Sequence, residues 1–239
     1  MRILEGKGVS KNFGGLVAVS DVDFHIEQGE IVGMIGPNGA GKTTLFNLIS
    51  AALSTGKGEI KFKGQVITGL KPDRICRMGI ARTFQSVKVF PNMPAIINVY
   101  IGSLFGIGNR ISLADASLDA EALLDFVGLS AAKDTPAKDL TLVNQKRVEV
   151  ARALATRPEL LLLDELMAGL NYTEVTKAME LVTRIRNKGI TVFMIEHVMK
   201  AIMGVCDRII VLHHGQKIAE GTPQEIASNK TVIEVYLGE

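Results

Sequence analysis

The chain has 239 residues, 47% of them apolar, and 27 Lys and Arg against 25 Asp and Glu give a net charge of +2. That length allows one large domain, or one domain with a smaller insert, and so even a charge balance gives no reason to expect the strongly basic face that nucleic acid usually demands. Two cysteines far apart, Cys76 and Cys206, match no metal-ligand spacing and are expected as reduced thiols of a cytosolic protein.

The opening residues Met1 to Lys7 hold no apolar stretch and are not expected to act as a secretory signal. Val17-Ala18-Val19 and Val22-Asp23-Phe24-His25-Ile26 alternate and predict a strand near an exposed edge, followed by a turn at Gln28-Gly29-Glu30. Ile31-Val32-Gly33-Met34-Ile35 is almost wholly apolar, the pattern of a strand buried on both faces. A glycine-rich loop follows it, and Thr44 to Ile49 begins a helix. Glu59–Phe62 and Gln65–Thr68, punctuated by glycine, predict a small hairpin.

From about Ser86 to Pro158 helical patterns predominate, as over 119–127 and 145–154. Strand and helix then alternate again, with strands at 160–163, 190–195 and 208–212 and a helix at 173–187. Such alternation predicts a parallel sheet covered by helices, here interrupted by a helical insert. No apolar run approaches the roughly 20 residues that span a bilayer.

Gly36-Pro37-Asn38-Gly39-Ala40-Gly41-Lys42-Thr43 satisfies G-x-x-x-x-G-K-[ST], with a buried strand before it and a helix, from Thr44, after it. Glycines let backbone N–H groups crowd around phosphate oxygens, and the helix terminus adds positive potential. Lys42 is expected to reach the β and γ phosphates of ATP and the Thr43 hydroxyl to ligate Mg²⁺. Leu160-Leu161-Leu162-Leu163-Asp164-Glu165 is an apolar strand ending in two carboxylates. In a P-loop protein Asp164 then belongs to the magnesium shell. Alternation turns Glu165 to a different face, free to polarise an attacking water.

A P-loop, a helical insert, a strand ending in Asp-Glu and a later strand ending in His occur in the order seen in ATP-binding cassette (ABC) ATPases, which the chain resembles over its whole length. The resemblance implies an α/β fold: a P-loop core with a mixed sheet and an antiparallel β subdomain, built from 1–85 and 158–239, with 86–157 as an inserted helical subdomain. It also implies that Phe13 stacks on adenine and that Gln85 touches Mg²⁺. His197 would contact the γ phosphate, and Ala168-Gly169-Leu170-Asn171 would cross a dimer interface.

More narrowly, Arg82-Thr83-Phe84-Gln85, Ile195-Glu196-His197, Glu220-Gly221-Thr222-Pro223 and Tyr236-Leu237-Gly238-Glu239 resemble ATPases of branched-chain or hydrophobic amino-acid importers. Lipopolysaccharide-exporting ATPases share much of this pattern, and a nucleotide-sensing ATPase is a further alternative. The partners implied are a second cassette, identical or different, and membrane permease subunits. These would hold the chain on the cytoplasmic face of the membrane. Phe90, Pro91, Met93, Pro94 and Tyr100, within 86–110, are candidates for the docking surface.

The place of the family's signature, Leu-Ser-Gly-Gly-Gln, is held here by Leu140-Thr141-Leu142-Val143-Asn144-Gln145. Val143 stands where a glycine is usual, which predicts an obstructed approach to the facing nucleotide, and strain if φ there is positive. Leu166 and Tyr172 stand where the family commonly has proline.

Overall fold

The computed structural model describes residues 1–106 and 112–237. Residues 107–110 of the candidate docking segment, and Gly238 and Glu239 of the terminal motif, lie outside the described residues. In chain order the first elements are strands β1 (Arg2–Phe13), β2 (Leu16–Glu27) and β3 (Ile31–Ile35), helix α1 (Lys42–Ile49), and strands β4 (Lys57–Phe62) and β5 (Gln65–Val66). Next come α2 (Pro72–Met78), β6 (Ile80–Arg82), α3 (Ala95–Phe105), α4 (Leu113–Phe126), α5 (Leu142–Ala155) and β7 (Leu160–Asp164). The remainder is α6 (Tyr172–Asn187), β8 (Thr191–Ile195), α7 (Met199–Val205), β9 (Arg208–His213), β10 (Gln216–Gly221), α8 (Pro223–Ser228) and α9 (Lys230–Leu237).

Two sheets result. One is antiparallel in the order β2-β1-β4-β5, with β2 at an edge as its alternation predicts. Val22, Phe24 and Ile26 are buried while Asp21 and Asp23 face outward. Its partner β1 is not readable from pattern, because register irregularities between Gly6 and Val9 and between Val9 and Lys11 break the period of two. The other sheet runs β10-β9-β3-β8-β7-β6 and is parallel except for β10, which pairs antiparallel to β9.

The parallel sheet divides the interior. Ile31, Ile35, Leu161, Leu163, Val192 and Met194 point into a core shared with α3–α7. Val32, Met34, Leu160, Leu162, Phe193 and Ile195, their alternate neighbours, point into a second core with α1 and the antiparallel sheet. Phe193 meets Phe46 of α1 there, with ring centroids 4.9 Å apart. Burial on both faces is why β3, β7 and β8 read as continuous apolar runs.

Helix starts follow local chemistry. Asn171 accepts the Glu174 N–H while the Glu174 side chain accepts the Asn171 N–H, a capping box that opens α6. Thr222 and Glu225 do the same at α8 with Pro223 in its first turn, which gives Thr222-Pro223 of the quoted motif a plain structural role.

Candidate functional site

The loop after β3 turns through Gly36, Gly39 and Gly41, all at positive φ. Gly41 sits at φ 100° as the N-cap of α1, and a Cβ there would lie 2.4 Å from the Ala18 carbonyl oxygen. The turn therefore needs glycine both for its conformation and for its contact with β2. Lys42 is buried, and its Nζ donates to the carbonyls of Gly36 at 2.7 Å and Pro37 at 3.0 Å. Desolvation pushes the Lys42 ammonium below its usual range, with Glu165 and Asp164 opposing the shift.

A cleft of about 380 Å³ opens over this loop. Asn38, Gly39, Ala40, Gly41, Lys42, Thr43 and Thr44 line one side, Gln85, Glu165 and His197 another, and Phe13 a third. Phe13 is 45% exposed at the end of β1, and Lys11 Nζ lies 5.5 Å from its ring centroid. The exposed side chains of Leu16 and Val17 continue the apolar wall beside it. Sequence reasoning missed Leu16 and Val17 as site residues, although their place just after Phe13 across a Gly-Gly turn was a usable signal.

Gly36 and Pro37 do not line the cleft; they lie beneath it and hold Lys42. Asp164 is also beneath, fully buried, with Oδ2 accepting from Arg82 at 2.7 Å. Arg82 bonds Asn47 and Ser50 of the α1 region as well, so it ties β6, β7 and α1 together. Burial pushes the Asp164 carboxyl above its usual range, and Arg82 pulls it back. Its Oδ1 is buried without a partner.

Thr43, Gln85 and Asp164 offer a hydroxyl, an amide oxygen and a carboxylate, a hard-oxygen donor set that suits Mg²⁺ sharing phosphate oxygens of its substrate. The orphaned Asp164 Oδ1 is the structural observation that fits such an ion.

Glu165 is bound from two sides. Gln85 Nε2 donates to its Oε2 at 3.1 Å, and His197 Nε2 lies 3.1 Å from its Oε1. A carboxylate only accepts, so the His197 proton in that contact belongs on Nε2. A carboxylate held between an amide and an imidazole at the lip of a phosphate loop can orient and polarise a water.

At Val143 the condition for backbone strain is not met. The residue lies in α5, outside the positive-φ positions, so it carries no such strain. Its side chain lines a separate cleft with Leu166 and Leu170, between α5 and α6. Leu142 instead stands out, 52% exposed, beside Thr141, whose side chain caps α5 by accepting the Asn144 N–H.

A larger apolar cleft of about 580 Å³ runs between α2 and β6 on one side and α3 and α5 on the other. Phe84, Phe90, Ile101 and Phe105 line it. Of the candidate docking residues, Phe90 belongs to this cleft and Met93 is exposed. Tyr100 packs partly against the core and Pro94 forms a backbone bridge with Pro136, and both are half-buried. Asn98, buried, holds the segment by donating to the carbonyls of Phe90, Met93 and Pro94.

A family profile described as "ABC transporter" matches residues 19–168, and one described as "Branched-chain amino acid ATP-binding cassette transporter" matches 216–239. The high-affinity branched-chain amino acid transport ATP-binding protein BraF of Pseudomonas aeruginosa is 39% identical, over 99% of this chain and 98% of that one. The crystal structure of a nucleotide-free ATP-binding cassette from an ABC transporter superposes with a TM-score of 0.90 at 30% identity, over all of both chains. The dimeric bacterial ABC transporter cassette MJ0796 gives 0.84 at 26% identity, over 92% of this chain and 98% of that one.

Proposed function

The chain belongs to the ABC transporter family, and from that premise we propose that it is the ATP-hydrolysing subunit of an importer for branched-chain or other hydrophobic amino acids. The observation that carries the reading is the convergence of Lys42, Gln85, Glu165 and His197 on one cleft above a phosphate loop. The match at residues 216–239 favours an amino-acid importer over a lipopolysaccharide exporter.

Adenine stacks on Phe13 beside the exposed Leu16 and Val17, an apolar shelf at the edge of the cleft. Backbone N–H groups of residues 38–44 and the Lys42 ammonium take the phosphates. Lys42 exchanges its bonds to the Gly36 and Pro37 carbonyls for bonds to phosphate oxygens. Thr43, Gln85 and Asp164 would hold Mg²⁺, which when bound offsets charge on the β and γ phosphates. Glu165, fixed between Gln85 and His197, orients the water that attacks the γ phosphorus.

Two cassettes close on ATP in this scheme, and the Thr141 end of α5 faces the nucleotide of the partner. Leu142 and Val143 stand in place of the signature glycines, and the exposed Leu142 crowds that approach. This favours a second cassette of different sequence with an intact signature. Residues 86–157 act as a helical subdomain, and the apolar cleft containing Phe84 and Phe90 receives the permease on the cytoplasmic face of the membrane. The Glu165→Gln variant tests the pairing. If it sizes as a monomer with bound Mg-ATP, the chain needs a different partner; a nucleotide-dependent homodimer contradicts that preference.

Transport itself is tested in phospholipid vesicles carrying the transporter, purified through a tag on this chain together with its binding protein. Labelled leucine, isoleucine or valine accumulates only with Mg-ATP on the cassette side. ATP hydrolysis without ATP-dependent movement of any of the three contradicts the branched-chain assignment.

A further inference from the structure

Glu165 sits at φ 52°, a left-handed conformation that side-chain-bearing residues seldom adopt. Such backbone persists where its surroundings over-determine it, and two buried polar side chains do so here. Lys146, in the second turn of α5, spends all three ammonium donors on the turn after β7. Its Nζ donates to the carbonyls of Glu165 at 3.1 Å, Leu166 at 3.0 Å and Ala168 at 2.7 Å. From the end of β8, Glu196 accepts the Met167 N–H through Oε1 at 2.8 Å. Both side chains are buried, and neither lines the cleft over the phosphate loop.

The turn is therefore gripped on its carbonyls from one helix and on an amide from a strand end. The Glu165 N–H adds a third hold by donating to the Ile195 carbonyl at 2.9 Å. Charged groups are costly to bury, and an ordinary turn needs neither of them. What the two side chains secure is the placement of a residue in a rare conformation whose carboxylate must meet a water within tenths of an ångström.

We propose that Lys146 and Glu196 form a buried clamp that positions the Glu165 carboxylate for hydrolysis. They are positioning residues, since both act through the backbone of the turn. The proposal rests on the reading of Glu165 as the residue that orients water.

The test uses Lys146→Met and Glu196→Leu, which remove the bonds at similar volume, and Lys146→Arg and Glu196→Gln, which keep donors or an acceptor. Three quantities are measured: hydrogen exchange at the Met167, Ala168 and Leu170 amides of the purified chain, its ATP affinity, and turnover of the transporter purified through a tag on this chain. In Lys146→Met and Glu196→Leu those amides exchange at least about tenfold faster and turnover falls at least about tenfold, while ATP affinity stays within about threefold. Lys146→Arg and Glu196→Gln recover most of both.

Unchanged exchange in the two disruptive variants overturns the clamp, as does a fall in ATP affinity that parallels turnover. If Lys146→Met does not fold, Glu196→Leu alone decides by the same criteria. Faster exchange in the variants of a transporter whose wild type hydrolyses no ATP overturns the reading of Glu165 instead.

Discussion

The Gln85 side-chain nitrogen donates to Glu165 Oε2 at 3.1 Å, which joins the loop after β6 to the carboxylate that ends the β7 strand region. The group that would touch magnesium and the group that would orient water are thereby one unit. Replacing Gln85 by Ala removes a bond to the Glu165 carboxylate but none to the phosphate loop. Turnover is expected to fall by about tenfold to a hundredfold, with ATP affinity within about threefold. Phosphate release and equilibrium nucleotide binding on the same preparation check this. A matched loss of both would place Gln85 in binding instead.

Arg82 and Asp164 form an ion pair whose side chains are 6% and 0% exposed. Arg82→Met leaves the carboxylate buried without its partner, and breaking such a pair costs about 3–5 kcal/mol. Urea unfolding at neutral pH measures the loss. A change under about 1 kcal/mol, the range of solvated surface pairs, would contradict the buried pairing.

Burial pushes the Glu196 carboxyl up to about 7, while the Met167 and His197 amides and the charge of Lys146 pull it down and Glu165 raises it. A carboxyl raised in the folded state contributes stability that is complete below its unfolded value near 4.5. That contribution is lost as pH climbs through about 7. The wild type therefore loses up to about 3 kcal/mol between pH 4.5 and 7 from this group. Glu196→Gln lacks that component, so its stability relative to wild type rises across this window. Urea unfolding at pH 5 and pH 8 tests it, and equal pH slopes for the two proteins would refute it.

Phe90 lies in the apolar cleft between α2 and α3, with the Arg152 guanidinium 5.5 Å from its ring centroid. Phe90→Glu places a charge where a permease would dock. ATP affinity of the isolated chain is expected to stay unchanged while solute uptake by the transporter drops about tenfold or more. Lost nucleotide binding in this variant would identify Phe90 as core packing.

The sheet strands β3, β7, β8 and β9, the long helices and the phosphate loop were legible because burial on both faces and helical period leave strong patterns. β1 was hidden by its irregular register, β6 by being three residues long, and β10 by half-buried polar residues. At the site, Lys42, Gln85, Glu165 and His197 were found by motif and order, and the cleft gathers them. Lys146 and Glu196 were not found, since a charge between apolar positions reads as a solvated face until the fold buries it. The positive φ on which strain at Val143 depends is absent, and the pattern does not show this either. Helix α5 begins at Leu142, so the residue is helical and its side chain turns away toward Leu166 and Leu170.

The central claim is that this chain hydrolyses ATP with Glu165 orienting the water. It is tested most directly by Mg-ATP turnover of the transporter carrying Glu165→Gln, beside the wild type and with ATP binding measured in parallel. The account predicts unchanged ATP affinity and a loss of turnover of about 10²–10⁴-fold. Turnover within about threefold of wild type would contradict it, because a water oriented by some other group would not notice the change.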